Sequence, residues 1–378
     1  MSAGGGHRRG IIVALLCTVN AIACVPVMKP GPDRQEAGWP AYLGTIRHDA
    51  AAAESLNPDP RPLWRTDAGR AVMGSPALGE TILAAGTTDR TVVLLDRASG
   101  DVLWRQRLGG TVRAGPLLDQ DRLYIGTQLQ PEGKVYALRL KTGKPLWEVK
   151  LGSVAAPLAL DGDALFAGTE GGLVARLDAE TGRIVWRRRV AGALRAGPVP
   201  VGGYVFVATT ADTLFLLSRD SGQVRKKIPT PGAVLGTPVA DGGRVYFGTT
   251  DGHVLAVTVP DLTIAWDRPV GDAVYGAVAL ARDTLYALTR SGSLWMIPAA
   301  HPAGARSFDL NVVAVAGPTP VSGGVLVGSV AGEVLLVSTA DGQVRWRVQL
   351  DGPIDEPPLV RDRELFVVAG RGDIHAYR

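Results

Sequence analysis

The residues most suggestive of chemistry lie in a motif that combines an acidic side chain, a glycine and a tryptophan. The stretch LDAETGRIVWRRRV, residues 177–190, is one example, and close variants begin at Leu95, Leu138 and Val337. Carboxylates beside an aromatic ring and basic groups are residue types that proteins use for acid–base catalysis or ligand binding. A reactive site is needed once, whereas this motif recurs, so the elements that carry it must be identified first.

A proline that precedes an apolar strand recurs along the chain at nearly constant intervals. The column comprises Pro76, Pro116, Pro157, Pro198, Pro238, Ala277 in place of a proline, Pro318 and Pro358, at steps of 39 to 41 residues. Each interval contains four short apolar runs (A to D) separated by turn residues. A period of about 40 residues with four strands per unit predicts a β-propeller in which each unit is one blade. The sequence therefore predicts an all-β fold with eight four-stranded blades.

The last repeat, which begins at Pro358, stops before its fourth strand. The stretch RPLWRTDAG, residues 61–69, matches the fourth strand of the other repeats. We therefore expect this N-terminal strand to complete the C-terminal blade and close the ring, with the propeller spanning residues 61–378.

An aromatic residue occupies the same position of strand D in seven of the eight repeats. The column comprises Trp64, Trp104, Trp147, Trp186, Trp266, Phe308 and Trp346, and Lys226 interrupts it. A glycine stands four residues earlier in most repeats, including Gly182 and Gly304. Glycine at positive φ suits a turn with a bulge between strands C and D, and an indole buries about 150–250 Å². We interpret the column as a structural seam that docks neighbouring blades, not as a reactive site.

The first residues have the composition of a secretion signal. His7, Arg8 and Arg9 precede an apolar run that ends in AIAC at Cys24. The small residues before Cys24 resemble the lipobox of bacterial lipoproteins, in which the cysteine is lipidated, and Val25 after it implies sorting to an outer membrane. We expect a signal peptide at residues 1–23, lipid attachment at Cys24, and a lipid tether and N-terminal extension at residues 24–60. An ordinary cleaved signal is the alternative.

Charge and composition exclude several classes of function. Removing residues 1–23, which hold two arginines and no acid, lowers the formal net charge from +4 to +2, so nucleic acid is not an implied partner. No cysteine follows Cys24, which leaves no thiolate for a metal site. His253, His301 and His375 lack ligand spacing. We predict no catalytic residue, no metal and no cofactor.

The repeats carry a family resemblance. AETGRIVW, LKTGKPLW and RASGDVLW resemble the tryptophan-docking motif of propellers related to pyrroloquinoline quinone (PQQ) enzymes, and GWPAYLG with His48 resembles the segment before their first blade. The enzymes of that family hold the quinone over the channel with a vicinal disulfide and bind calcium. This chain offers no mature cysteine pair and no cluster of acids for such chemistry, so a PQQ-dependent dehydrogenase is the least favoured reading.

A lipid-anchored propeller of this length resembles the non-catalytic propeller subunits of the outer-membrane β-barrel assembly machinery. The resemblance implies a monomeric scaffold that faces the periplasm, is held at the outer membrane by its lipid, and helps a barrel-forming protein partner to fold and insert outer-membrane proteins. The alternative is a surface or periplasmic propeller that binds another protein or a polysaccharide.

One loop column differs between repeats. Blade geometry places the D–A and B–C loops on one face, and the position three before each strand-A proline or its equivalent holds Met73, Arg113, Val154, Arg195, Leu235, Val274, Val315 and Asp355. Since apolar residues suffice there in five repeats, Arg113, Arg195 and Asp355 are predicted to mark a partner or ligand surface. Leu194 with Arg195 resembles the loop through which the assembly subunits contact their partner. Rim charges that pair with each other are the alternative.

Overall fold

The computed structural model describes residues 1–2, 29–34, 37–39, 56–57 and 59–378. Most of the predicted signal peptide, together with Cys24, lies outside the described residues. Within them the chain is an all-β propeller of eight antiparallel sheets, as predicted. No helix among the described residues is long and apolar enough to cross a bilayer.

Each blade is a meander whose strands run in sequence order from A to D. Blade 1 contains β3 (Ala77–Gly79), β4 (Ile82–Gly86), β5 (Thr91–Asp96) and β6 (Val102–Arg107); blade 2 contains β7 (Leu117–Asp119), β8 (Arg122–Gly126), β9 (Lys134–Arg139) and β10 (Pro145–Lys150). Blade 3 contains β11 (Ala159–Asp161), β12 (Ala164–Gly168), β13 (Leu173–Asp178) and β14 (Ile184–Arg189); blade 4 contains β15 (Val199–Val201), β16 (Tyr204–Thr209), β17 (Thr213–Ser218) and β18 (Val224–Pro229).

The second half of the ring repeats the same arrangement. Blade 5 contains β19 (Val239–Asp241), β20 (Arg244–Gly248), β21 (His253–Thr258) and β22 (Ile264–Pro269); blade 6 contains β23 (Ala279–Ala281), β24 (Thr284–Leu288), β25 (Ser293–Pro298), a 3-10 turn (Pro302–Gly304) and β26 (Arg306–Asp309). Blade 7 contains β27 (Thr319–Val321), β28 (Gly324–Gly328), β29 (Glu333–Ser338) and β30 (Val344–Gln349). Blade 8 contains β31 (Leu359–Arg361), β32 (Glu364–Ala369), β33 (Asp373–Tyr377) and β2 (Pro62–Asp67).

The eighth blade is the predicted hybrid of the two ends of the chain. β2 pairs antiparallel with β33, with Trp64 opposite Ala376. Beyond the paired strands, Arg61 and Arg378 exchange backbone hydrogen bonds of 2.8 Å in both directions. These contacts close the ring.

Blade 1 differs from the prediction because it has a fifth strand. β1 (Ala37–Trp39) pairs antiparallel with β3, which is strand A of this blade. The N-terminal extension therefore adds a strand at the inner edge of blade 1, where β3 would otherwise be an unpaired edge.

The D–A and B–C loops lie on the same face, as predicted, because backbone bonds join them in every blade. Glu170 N–H donates to Ser153 C=O at 2.9 Å, and Thr210 N–H donates to Ala193 C=O at 3.0 Å. We call this face the upper face and its central opening the upper mouth. The A–B and C–D turns form the lower face.

Each residue of the aromatic column contacts the following blade. Five indoles donate a hydrogen bond from Nε1 to a backbone carbonyl of the following blade: Trp64 to Arg97, Trp104 to Leu140, Trp147 to Ala179, Trp186 to Arg219 and Trp266 to Ala299, at 2.8 to 3.2 Å. Phe308 lies against Gly342 of blade 7, and Trp346 packs edge-on against Tyr377 of blade 8. We infer a docking role for the seven aromatic residues from these contacts.

At five seams a turn glycine lies against the aromatic ring of the preceding blade. Gly182 has φ of 74°, and a Cβ there would lie 2.6 Å from Trp147 of the preceding blade. The positive φ and the register shift between strands C and D agree with the predicted bulged turn. The close approach adds a second reason for glycine, since a side chain would displace the indole. Gly304 is an exception: it lies in the 3-10 turn without a positive φ, so the bulged turn expected there is absent.

Candidate partner-binding site at the channel mouth

The upper mouth is a shallow cavity of about 200 Å³ to which all eight blades contribute. Arg113, Arg195 and Asp355 line it and are exposed. The structure therefore brings the three charged residues of the predicted column to one opening, although they come from blades 2, 4 and 8.

Three members of the predicted column do not line the mouth: Met73, whose neighbour Gly74 does, and two valines. Val154 and Val274 are buried, whereas Ala155 and Tyr275 line the mouth in their place. The reason is that strand A begins two residues after Pro157 and Ala277, at Ala159 and Ala279, whereas it begins one residue after the anchor of the other blades. Every D–A loop carries a buried residue one or two positions before the residue that lines the mouth: Val72, Val112, Val154, Leu194, Val234, Val274, Ala314 and Ile354.

Leu194 belongs to this buried column. Its side chain is 0% exposed and packs in the core shared by blades 3 and 4, against the backbone at Gly168. A partner on the surface cannot touch it in this conformation. Leu194 thus supports Arg195 from below, and the contact expected for it by resemblance does not apply to this structure.

Arg195 is held by a carboxylate that the sequence did not single out. Its Nη2 lies 2.8 Å from Oε1 of Glu170. Gln128 Nε2 and Ser153 Oγ donate hydrogen bonds to the other carboxylate oxygen at 2.7 and 2.5 Å. The arginine side chain nevertheless remains 48% exposed, against 13% for Glu170. The pair fixes Arg195 and leaves much of its guanidinium accessible.

The Glu170 carboxylate remains charged despite its position. Burial raises the pKa of this group, but the hydrogen bonds from Gln128 and Ser153 and the charges of Arg195 and Arg113 outweigh the burial, so the net pKa lies below its ordinary value. Glu170 is the second residue of the B–C turn, and its counterparts in blades 2 and 6 are Gln128 and Arg290. Sequence comparison at this turn position identifies a second variable column on the same face.

Gln128 belongs to the longest B–C loop, which joins β8 to β9. It forms an isolated bridge with Thr111 of the D–A loop, so this loop lies beside the D–A loop that carries Arg113. The Gln128 side chain then crosses to Glu170 of blade 3. The loop therefore contributes directly to the network that orients Arg195.

The opposite wall of the mouth carries two adjacent acids. Gly74 N–H donates to Oε1 of Glu356 at 2.7 Å, which bridges blades 8 and 1. The pKa of the Glu356 carboxyl is raised to about 7, chiefly by burial. The charge of Asp355 also raises this pKa, and the hydrogen bond from Gly74 opposes the rise. Burial also raises the pKa of Asp355. The mouth is thus polarised, with Arg113 and Arg195 on blades 2 and 4 and two carboxyl groups on blade 8.

Tyr275 adds an aromatic group to the same opening. The guanidinium of Arg290 lies 5.9 Å from the centre of its ring, within the range of a cation–π contact. A partly buried tyrosine next to an arginine is a combination that is enriched at the centre of protein interfaces.

The described residues include no group of three or more His, Cys, Asp or Glu side chains placed to hold a metal ion. His253 instead contacts Asp267 at 2.7 Å between Nδ1 and Oδ1. The upper mouth offers only two neighbouring carboxyls, so the described residues do not fit the calcium-bound quinone of the PQQ enzymes.

Comparisons with known proteins agree with the fold and return two groups of relatives. A family profile described as outer membrane protein assembly factor BamB matches residues 51–130, 131–203, 170–301 and 303–378. The assembly factor BamB of Nitrosomonas eutropha is 29% identical over 138 residues, which cover 34% of this chain and 32% of that protein. The BamB of Legionella pneumophila is 24% identical over 231 residues, covering 61% and 51%.

A quinoprotein is also similar in sequence. Quinohemoprotein alcohol dehydrogenase ADH IIB of Pseudomonas putida is 27% identical over 141 residues, covering 31% of this chain and 20% of the enzyme. The alignments therefore span about a third to a half of the BamB relatives and a fifth of this enzyme.

Solved structures show the same fold in both groups. BamB from Moraxella catarrhalis superposes with a TM-score of 0.70 at 17% identity, covering 84% of this chain and 99% of that one. Quinohemoprotein alcohol dehydrogenase from Comamonas testosteroni gives 0.74 at 12% identity, covering 91% and 81%. Since the BamB profile matches most of the sequence, the chain is a PQQ-like β-propeller that belongs to the family of the outer membrane protein assembly factor BamB.

Proposed function

We propose that this protein is a non-catalytic, lipid-anchored scaffold that supports the folding and insertion of outer-membrane β-barrel proteins by docking a protein partner at its upper mouth. The names of its relatives support the assembly role. The signal peptide at residues 1–23, lipid attachment at Cys24, an outer-membrane location on the periplasmic side and a monomeric state are parts of the same proposal.

The observation that carries the proposal is the preorganised Arg195. Ordering a long side chain on binding costs free energy, and the Glu170 network reduces this cost because the guanidinium is already held. Arg113, Tyr275 and Asp355 surround it with further groups that a partner can contact. Charges of both signs favour a partner surface with complementary charges.

The test is co-purification of the barrel-assembly partner with an Arg195→Gln variant. We expect a weaker association with an unchanged thermal melt, since Arg195 is exposed. Arg345→Gln is the matched control, because Arg345 also pairs with one acid, Asp341 at 2.7 Å, but beside the C–D turn of blade 7. Equal retention of the partner by both variants would exclude the upper mouth as the docking site.

The sequence similarity to a quinohemoprotein alcohol dehydrogenase keeps an enzymatic function as the second candidate. Its test is incubation with PQQ and calcium, followed by measurement of bound quinone and of alcohol-dependent dye reduction. Turnover that depends on PQQ would replace the scaffold proposal. A polysaccharide or other protein as ligand would be revealed by cross-linking in intact cells.

A further inference from the structure

The N-terminal segment is docked on the propeller where a free tether is expected from its prolines. Residues 29–34, which we call the strap, lie along the lower face between blades 1 and 2. Lys29 Nζ contacts Asp101 Oδ2 at 2.9 Å, Asp33 Oδ1 contacts Lys141 Nζ at 2.8 Å, and Arg34 Nη2 donates to Gln120 Oε1 at 3.2 Å.

Gly31 fixes the strap in the seam. It is buried, and its N–H donates to Lys141 C=O at 2.9 Å. A Cβ on Gly31 would lie 2.5 Å from Leu140 O and 3.1 Å from Trp104 Nε1. Only glycine fits this approach, and the strap covers the indole that is 1% exposed.

The strap runs inward across the lower face. Asp101 lies in the C–D turn of blade 1, Gln120 lies in the A–B turn of blade 2, and β1 pairs with the inner strand β3. The chain thus reaches the body at the outer part of the lower face. Cys24 precedes Lys29 by five residues, which reach at most about 18 Å. An anchor on Cys24 therefore holds this part of the lower face close to a membrane.

The C–D turn beside the strap has a distinctive charge. In blade 2 it carries Arg139, Lys141 and Lys144, all exposed, and no acid. The corresponding turns of blades 1, 3, 4, 5 and 7 each carry at least one aspartate: Asp101, Asp178, Asp220, Asp261 and Asp341. Basic side chains near a membrane surface are attracted by anionic lipids. The strap docks on this basic turn, since Lys141 pairs with Asp33 and accepts the hydrogen bond from Gly31. Arg139 and Lys144 add two further exposed positive charges beside it.

We infer that the lower face of blades 1 and 2 lies on the membrane, with Arg139, Lys141 and Lys144 against anionic lipid headgroups and the upper mouth directed away from them. This inference rests on the proposed lipid anchor at Cys24. The orientation presents Arg195 and Asp355 to the solvent side, where a partner's soluble domains can reach them.

Lysine protection on vesicles tests the orientation. Cys24 is the only cysteine of residues 24–378, so this chain can be coupled through Cys24 to a maleimide lipid. On vesicles with phosphatidylglycerol, we expect Lys141 and Lys144 to lose reactivity toward an amine reagent. Lys134 and Lys150 lie at the upper end of the same blade and should keep it. Protection of the upper pair, or equal reactivity of both pairs, would overturn the inference.

Charge removal provides the second test. Uncoupled Arg139→Gln/Lys141→Gln/Lys144→Gln protein should bind phosphatidylglycerol vesicles at least tenfold more weakly than the parent, because each basic group contributes about fivefold. Lys134→Gln/Lys150→Gln is the matched control and should bind like the parent. Thermal melts verify that both variants are folded. Equal binding by the triple variant and the parent would overturn the inference.

Different results would contradict the lipid anchor of the proposed function and the orientation of the propeller on the membrane. Mass measurement of the N-terminal peptide from cells tests acylation of Cys24. A peptide without acyl groups removes the natural anchor from the proposed function and with it this orientation in cells. An acylated peptide together with unprotected Lys141 and Lys144 contradicts the orientation alone.

Discussion

Lys226 of blade 4 and Leu262 of blade 5 face each other at the positions that hold a tryptophan and a glycine at neighbouring seams. Leu262 is buried in the core shared by these blades, with φ of 50°. Lys226 turns outward, and its Nζ donates to Asp261 C=O at 2.9 Å. The two changes are complementary, because the leucine side chain fills space that an indole occupies at the other seams.

This relationship predicts coupling in a double-mutant cycle. Lys226→Trp alone should destabilise the protein by about 1–3 kcal/mol, since the ring meets Leu262. Leu262→Gly alone should cost about 2–5 kcal/mol through the lost buried side chain. The double variant should be more stable than the sum of the single changes by about 0.5–3 kcal/mol. Urea unfolding measures the free energy of unfolding of each variant. Additive effects would mean that a tryptophan and a glycine cannot replace Lys226 and Leu262 as a pair.

Alanine substitutions at two turn glycines separate the free-energy cost of backbone strain from the cost of a steric clash with an indole. Gly162→Ala introduces a side chain at φ of 62° with no atom within 4 Å, so only backbone strain of about 1–2 kcal/mol is expected. Gly182→Ala has a similar φ of 74° but also places Cβ 2.6 Å from Trp147. It should cost about 1–3 kcal/mol more than its control in the same blade. Equal unfolding free energies would show that the indole moves freely.

Arg97 should be important for ring closure. Its Nη2 and Nε lie 2.9 and 3.3 Å from Asp362 and Glu364 across the seam between blades 1 and 8, where the Arg97 and Glu364 side chains are 13% and 11% exposed. Arg97→Ala leaves the Glu364 carboxylate buried without its cation, so a loss of about 3 kcal/mol is expected.

Two variants serve as controls for Arg97→Ala. Arg345→Ala breaks an exposed pair and should cost less than about 1 kcal/mol. Arg97→Ala/Glu364→Gln should recover part of the loss, because the orphaned charge is removed. Denaturant unfolding is the measurement, and an Arg97→Ala loss no larger than that of Arg345→Ala would contradict this role.

The raised pKa of Glu356 predicts that the stability of the protein depends on pH. Burial raises its pKa from 4.5 in the unfolded chain to about 7 in the folded protein, so the folded state holds the proton more tightly. The stabilisation is present below pH 4.5 and is lost as the pH rises to 7. Glu356→Gln should therefore be more stable than the parent by up to about 3 kcal/mol above pH 8 and similar to it at pH 4. A constant difference across this range would contradict the prediction.

The sequence alone determined the architecture because the signals for strands, turns and repeats are local. Apolar runs with turn residues between them repeat at a near-constant period, and the strand motif around Trp64 matches the strand missing after Tyr377. Gly182 and its counterparts fix the turn that leads into strand D. Each signal depends on the spacing of neighbouring residues, which the sequence displays directly.

The tertiary structure decided which side chains meet. Arg195 lies 25 residues from Glu170 and on a different blade, so nothing local identifies the pair. In blades 3 and 6 strand A begins one residue later than the anchors Pro157 and Ala277 indicate. Ala155 and Tyr275 therefore line the mouth where the anchor places a buried valine. The docking of Gly31 against Lys141 likewise depends on a groove built by two blades. Contacts between residues that are far apart in the sequence depend on how neighbouring blades pack, and this packing is a property of the folded ring.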